Sequence, residues 1–313
     1  DVVNKVTVLY TISEVPESFG SKYKKFENVI NEPKFSTNLR ITVISNLLEL
    51  MIVLNESFTN YFQTIDIDAI FINIENGDVK MLLEQQIAVQ RDSVKSSVNE
   101  MLAYMIFELL CMANPYDGKK TLVKFPLLTK KSIEIINKEN KDFIFADNDN
   151  GISKYIGKDT LARWNALPNI IRNALEDNLD LNRNAITYEL NDWVFPIRNL
   201  RDLLVYVNGY FRFCNPLESN QVLFFKVDEY MVPIWPRKAI YGYHDGETNC
   251  ATAKKIILGV NQEGKVVNHS EKVFMVELNG KREELKSGDW FRPELGMKVI
   301  LENKQILIVN PQE

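Results

Sequence analysis

The stretch from Phe71 to Leu83, FINIENGDVKMLL, constrains this chain more than any other. Two short apolar runs flank Glu75-Asn76-Gly77-Asp78, and Asn-Gly between apolar runs is the strongest short-range hairpin signal, because both residues tolerate positive φ. Upstream, Leu39 to Leu54 has helical apolar spacing, with Leu47, Met51 and Leu54 on one face and Ile44 and Leu48 beside it. The expected arrangement is a helix, a connection over Gln63 to Ala69, and a two-strand ribbon.

Before the helix, Lys5 to Ser13 reads as a strand, and Phe19 to Phe35 as a short helix and a loop. After the ribbon comes a polar segment, Gln85 to Ser97. Val98 to Met112 is apolar nearly all round, so it is expected as a buried helix, stopped by Asn114-Pro115-Tyr116-Asp117-Gly118. Thr129 reads as the N-cap of a helix over Lys130 to Asn137, and Phe143 to Gly151 as a turn-rich loop. Leu161 to Leu175 and Thr187 to Asn208 read as two more helices, the second interrupted near Phe195-Pro196. Beyond Cys214-Asn215-Pro216 the pattern changes to short β runs: Val222–Val227, Ala239–Tyr243, Lys255–Val260, Val273–Leu278, Lys281–Leu285, Lys298–Leu301 and Gln305–Val309. The last run is apolar on both faces, so both faces of its sheet are expected to be covered.

The 313 residues carry a net charge of -5, with lysines scattered among carboxylates, and this gives no electrostatic footprint for nucleic acid. Cys111, Cys214 and Cys250 form no CxxC pair, which excludes a metal knuckle and fits reduced thiols in the cytoplasm. No run of about 18 apolar residues predicts a membrane span, and no signal peptide opens the chain. The first residue is Asp1, as expected of a fragment or a processed form. His244 and His269 have no metal-ligand spacing with the cysteines and are expected at surface or turn positions. Ser270 beside His269 cannot make a triad, since neighbours on a strand point to opposite faces. There is no P-loop, GxSxG or GxGxxG motif.

A helix, a tight loop and a ribbon also carry the catalytic loop and the magnesium-binding strand in the C-lobe of a protein kinase. The run SVNEMLAYMIFELLCMANPYDGKK resembles the buried helix and following segment of a group of bacterial kinase-like proteins. That group occurs beside a von Willebrand A-domain protein and a PP2C-type phosphatase in tellurium-resistance-type stress systems. DFIFADNDN, ALPNIIRNALEDNLDLNRNAITYELNDW and NLRDLLVYVNGYFRFCNPLES are similar to successive pieces of the same group. The β region from Lys238 to Val309 resembles its small appended domain. The likeness runs from Tyr10 nearly to the end and rests on the order of the pieces.

What the resemblance implies for chemistry is a loss. Phosphoryl transfer needs a carboxylate near the substrate hydroxyl and an Asn and an Asp on magnesium. Thr64 stands at the catalytic Asp position, Ala69 at the metal-binding Asn and Leu83 at the Asp that opens DFG. None of the three can do the expected work. Asp66, Asp68 and Glu84 are the alternative carboxylates, reachable by a register slip. Arg183 matches an Arg that in kinases pairs with the Glu of APE, which is missing. Of the family's CPxCG knuckle only Cys214 remains, so no zinc is expected.

The expected architecture is therefore α+β in two domains. Residues 1–215 form a mainly helical, kinase-C-lobe-like domain and residues 220–313 a small all-β, sandwich-like one. The expected function is that of a catalytically inactive pseudokinase, a cytoplasmic scaffold or regulatory subunit in a bacterial stress-response complex. It is expected to have no cofactor and no metal, to bind neither nucleic acid nor membrane, and to partner a phosphatase or a von Willebrand A-domain protein. The partner surface is expected at Thr64 to Ala69, or at open sheet edges and aromatics such as Trp235 and Trp290. One alternative is a nucleotide-handling phosphotransferase using Asp66, Asp68 and Glu84. Another is a phosphopeptide-reading β domain using Arg237, Arg282 or Arg292.

Overall fold

The computed structural model describes residues 22–30, 32, 35–57, 67–82, 98–117, 143–146, 157–180, 188–216 and 222–312. The chain is a mixture of helices and antiparallel sheets, and it divides into two compact units, Asp1–Arg198 and Asn199–Glu313.

In the first unit, β1 (Tyr23–Lys25) leads into α1 (Phe26–Val29) and then α2 (Thr37–Ser57). A 3-10 turn, Ile67–Ala69, opens the ribbon β2 (Ile70–Asn73) and β3 (Val79–Met81). The ribbon is the one expected, but β2 also pairs antiparallel with β1, Tyr23 opposite Asn73. A three-residue lysine-rich strand has no apolar alternation, so Lys22 to Lys25 gave no sign of pairing. α2 is long and apolar enough to cross a membrane by length and composition, the one such helix among the described residues, although no span was expected. Its apolar residues Ile41, Val43, Ile44, Leu47, Leu48, Met51 and Leu54 are buried, and it packs on β3 and on α3 (Val98–Cys111).

α3 is the buried helix read from the sequence. Leu102, Ala103, Met105, Ile106, Phe107 and Leu109 are wholly shielded from water. Two arginines close its C-terminal end, where orphan carbonyls carry partial negative charge. Arg40 donates to Leu109 O at 3.2 Å, and to Phe35 O and Ile30 O, while Arg163 donates to Cys111 O at 3.4 Å. Burial, together with the neighbouring Arg163, pulls the Arg40 guanidinium down to about 10. An aromatic cluster of Phe107, Phe143, Phe145 and Trp164 lies beside α3, with Phe145 and Trp164 stacked at 4.7 Å.

The single helix expected over Leu161 to Leu175 is two, α4 (Lys158–Ala166) and α5 (Asn169–Leu179). Pro168 forces the residue before it out of the helical region, and Leu167 is extended at ψ 144. The helix expected over Thr187 to Asn208 is likewise shorter. A 3-10 turn, Leu190–Trp193, precedes α6 (Val194–Leu203). Pro196 lies in the first turn of α6, where a missing N–H costs nothing, so it does not interrupt the helix.

The chain turns extended at Leu204. β4 (Leu204–Val207) and β5 (Tyr210–Phe213) form a ribbon about Asn208-Gly209, with φ of 51 and 89, a type I′ turn. The following strands are β6 (Phe224–Val227), β7 (Tyr230–Pro233), β8 (Ala239–Tyr241), β9 (Ile256–Val260), β10 (Val266–Asn268), β11 (Phe274–Leu278), β12 (Lys281–Leu285), β13 (Trp290–Phe291), β14 (Lys298–Ile300) and β15 (Gln305–Val309). They make a six-stranded sheet in the order β12-β11-β14-β15-β6-β7 and a four-stranded sheet in the order β13-β10-β9-β8. Phe225, Val299, Ile306 and Ile308 from the first share one core with Ile240, Leu258 and Val266 from the second. This is a two-layer packing of antiparallel sheets.

Phe224 and Phe225 are adjacent and both fully buried, so the six-stranded sheet is covered on both faces here. The outer cover is a second cluster, in which Leu203, Val205 and Cys214 pack with Phe224 and Val309. The expectation from β15 that both faces are covered is met inside this unit. The same contacts bring residues 199–214 into the β unit, so the division falls within α6 rather than at 215–220. Cys111 and Cys214 are buried free thiols.

Candidate functional site

The ribbon is held against α2 at its turn. Asn46 Nδ2 donates to Gly77 O at 2.8 Å. Gly77 has a φ of +76, and a Cβ there would lie 3.1 Å from the Thr42 side chain. Only glycine fits both the left-handed backbone and the close approach. Of the residues singled out for kinase-like chemistry, Thr64, Asp66, Leu83, Glu84 and Arg183 lie outside the described residues. Asp68 is exposed on the 3-10 turn. Ala69 beside it is fully buried, and its carbonyl accepts from Leu82 N at 2.9 Å, so position 69 faces the packing of the ribbon.

A polar seam that the sequence reading missed runs along α3. Glu100, Tyr104 and Glu108 recur at four-residue steps, on one stripe of the helix. Tyr104 donates to Glu108 Oε1 at 2.8 Å and accepts from Asn114 Nδ2 at 3.2 Å, and Tyr116 donates to Glu100 Oε1 at 3.3 Å. Burial pushes the Glu108 carboxyl up to about 7, against the hydrogen bond from Tyr104. The folded protein therefore keeps a proton that the unfolded chain releases near its usual carboxylate range. Stability contributed at this group is full at low pH and is lost as pH rises from about 4.5 through 7, by up to about 3 kcal/mol. Urea denaturation between pH 4.5 and 8 should show this fall in the parent and a flatter profile in Glu108→Gln. Parallel profiles would remove Glu108 as the cause.

In the β unit the buried polar centre is Asp202, at the end of α6. Its two oxygens accept from Tyr243 OH at 2.7 Å and face His244 Nε2 at 3.0 Å. The other ring nitrogen, Nδ1, accepts from Tyr241 N at 2.9 Å, which assigns the proton to Nε2. An Asp-His pair serves as a base only if its second nitrogen is open to substrate. Here a backbone amide occupies it, so the pair ties α6 to the 3-10 turn Gly242–Asp245. His244 does lie in a turn, as expected, but it is buried rather than on the surface. Lys238 completes the centre by donating to Arg201 O at 2.9 Å and Leu204 O at 2.8 Å. Burial pulls its amine down to about 8, and the Asp202 carboxylate opposes that shift.

His269 packs its ring on Gly259, and Ser270 donates to Asn268 Oδ1 at 2.8 Å, so the two do not act on each other. Two of the three arginines weighed for phosphate binding are engaged elsewhere. Arg237 lies over the Tyr206 ring, and Arg282 donates to Glu277 at 2.9 Å. Among the described residues no group of three or more His, Cys, Asp or Glu is placed to hold a metal ion.

A concavity opens in the β unit. A cleft of about 610 Å³ is lined by Val276, Leu278, Leu285, Phe291 and Met297, with Lys281, Glu283, Glu284 and Asp289 among its polar lining. Trp290 borders it and is 53% exposed, with Lys265 Nζ 3.9 Å from the ring centroid. Trp235, by contrast, packs on the second cluster and donates to Tyr206 O at 3.2 Å. One of the two tryptophans named from the sequence is thus at an open surface and the other packs, half-buried, against a core cluster. No protein-family model, no curated protein and no solved structure matches the chain.

Proposed function

We propose that the protein is a non-catalytic binding protein, a pseudokinase-like scaffold or regulatory subunit that works through protein partners in the bacterial cytoplasm. The observation that carries this reading is Ala69. The position where the kinase resemblance requires a magnesium-binding Asn is a methyl group packed inside the ribbon, with its backbone carbonyl already bonded. Thr64 and Leu83 have side chains equally unable to act as base or magnesium ligand. The buried reduced thiols Cys111 and Cys214 fit the compartment, and the exposed Trp290 beside a cleft of mixed apolar and charged lining fits a partner surface. By the resemblance, the partners are a PP2C-type phosphatase or a von Willebrand A-domain protein.

Thermal unfolding with ATP and Mg²⁺ tests this reading. A ligand at 100 times its Kd adds about 2.7 kcal/mol to the folded state, so millimolar Mg²⁺-ATP should leave the melting temperature unmoved. A shift of several degrees that needs both Mg²⁺ and ATP would favour a nucleotide-handling enzyme using Asp66, Asp68 or Glu84.

A further inference from the structure

The cleft in the β unit lies where two sheets end. β12 is the last strand of the six-stranded order and β13 the last of the four-stranded order, and among the described residues no strand pairs with the outer side of either. β12 pairs with β11 so that Leu285 lies opposite Phe274 and Glu283 opposite Val276. Leu285 and Phe274 are both in the core, so Lys281, Glu283 and Leu285 share the core-side face of β12, where Lys281 and Glu283 stay exposed. That row reads cation, anion, apolar along an edge whose neighbouring floor is Val276, Leu278, Phe291 and Met297.

Inward charges on an edge strand can simply discourage pairing. Here, however, the row also borders a cleft that mixes apolar and charged side chains, and Glu283, Glu284 and Asp289 outnumber Lys281 in its lining. We infer that β12 is a docking edge for an extended segment of a partner protein, which adds as an antiparallel strand and points alternate side chains into the cleft. Read from its N-terminus, the incoming strand meets Leu285, then Glu283, then Lys281. It therefore carries an apolar residue, one spacer, and a lysine or arginine. Main-chain bonds to the edge supply affinity, and the alternate side chains supply selectivity. The inference rests on the reading of this chain as a partner-binding protein and gives that partner a chemistry.

Two fluorescein-labelled peptides on the full chain test it: Thr-Val-Thr-Ile-Thr-Lys-Thr-Thr, and the same peptide with Glu in place of Lys. Anisotropy should show the Lys peptide binding roughly fivefold tighter, as cross-strand charge pairs allow. Glu283→Lys, checked for an unchanged melting temperature, should invert the preference. Hydrogen exchange should slow at residues 281–285 when the Lys peptide is bound. Equal affinities, a preference that Glu283→Lys leaves intact, or no binding at millimolar peptide would each overturn the docking edge. Mg²⁺-ATP is titrated in parallel, and binding there would sink the non-catalytic reading while leaving the peptide result to stand by itself.

Discussion

Met105→Asp should unfold the first unit. Met105 is wholly buried in α3, with Leu102, Ile106 and Leu109 also shielded from water. A carboxylate there has no partner, so the folded state must hold either an unpaired charge or an unfavourable proton. The cost is expected to exceed about 4 kcal/mol, a large share of the stability of an ordinary domain. Met105→Leu keeps the volume and should cost less than about 1.5 kcal/mol. Circular dichroism melts of both variants check the pair. If the aspartate variant melts within a few degrees of the parent, α3 is not the core helix.

The second large effect is expected at Asp202. Asp202→Ala leaves the His244 Nε2–H and the Tyr243 hydroxyl without their acceptor in a site closed to water. It also removes the carboxylate that supports the buried Lys238 amine. Losing one member of a buried charged network costs about 3 to 5 kcal/mol. Asp202→Asn keeps an acceptor for one of the two donors and should cost clearly less. Denaturant unfolding followed by tryptophan fluorescence separates the two, and equal midpoints for Asp202→Ala and the parent would contradict the role given to this tie.

The parts of the fold legible in the sequence were those in which local chemistry and burial agree. Asn76-Gly77 between apolar runs marks the β2–β3 ribbon, and the all-round apolar run of α3 marks a core helix. The misses have definite causes. β1 is short and lysine-rich, so nothing in its pattern announces pairing. α4 and α5 were merged because the apolar spacing continues across Leu167-Pro168, although Pro168 acts on the residue before it. The β4–β5 ribbon was missed even though Asn208-Gly209 carries the same signal as Asn76-Gly77, because the apolar run of α6 leads straight into it. The Asp202, Tyr243 and His244 centre joins residues about forty positions apart, and no spacing rule finds such a contact. Of the candidate site, Trp290 was named from the sequence as a surface aromatic. The cleft beside it depends on which strands end each sheet, and that is a property of the topology alone.

On the proposed reading this chain binds protein partners and does not transfer phosphate. A single-turnover reaction tests it most directly, with the full chain in excess over γ-labelled ATP and magnesium present. No labelled protein and no released phosphate above a protein-free control are expected, in the parent and in Asp68→Asn alike. Magnesium-dependent release or transfer that Asp68→Asn abolishes would contradict that reading.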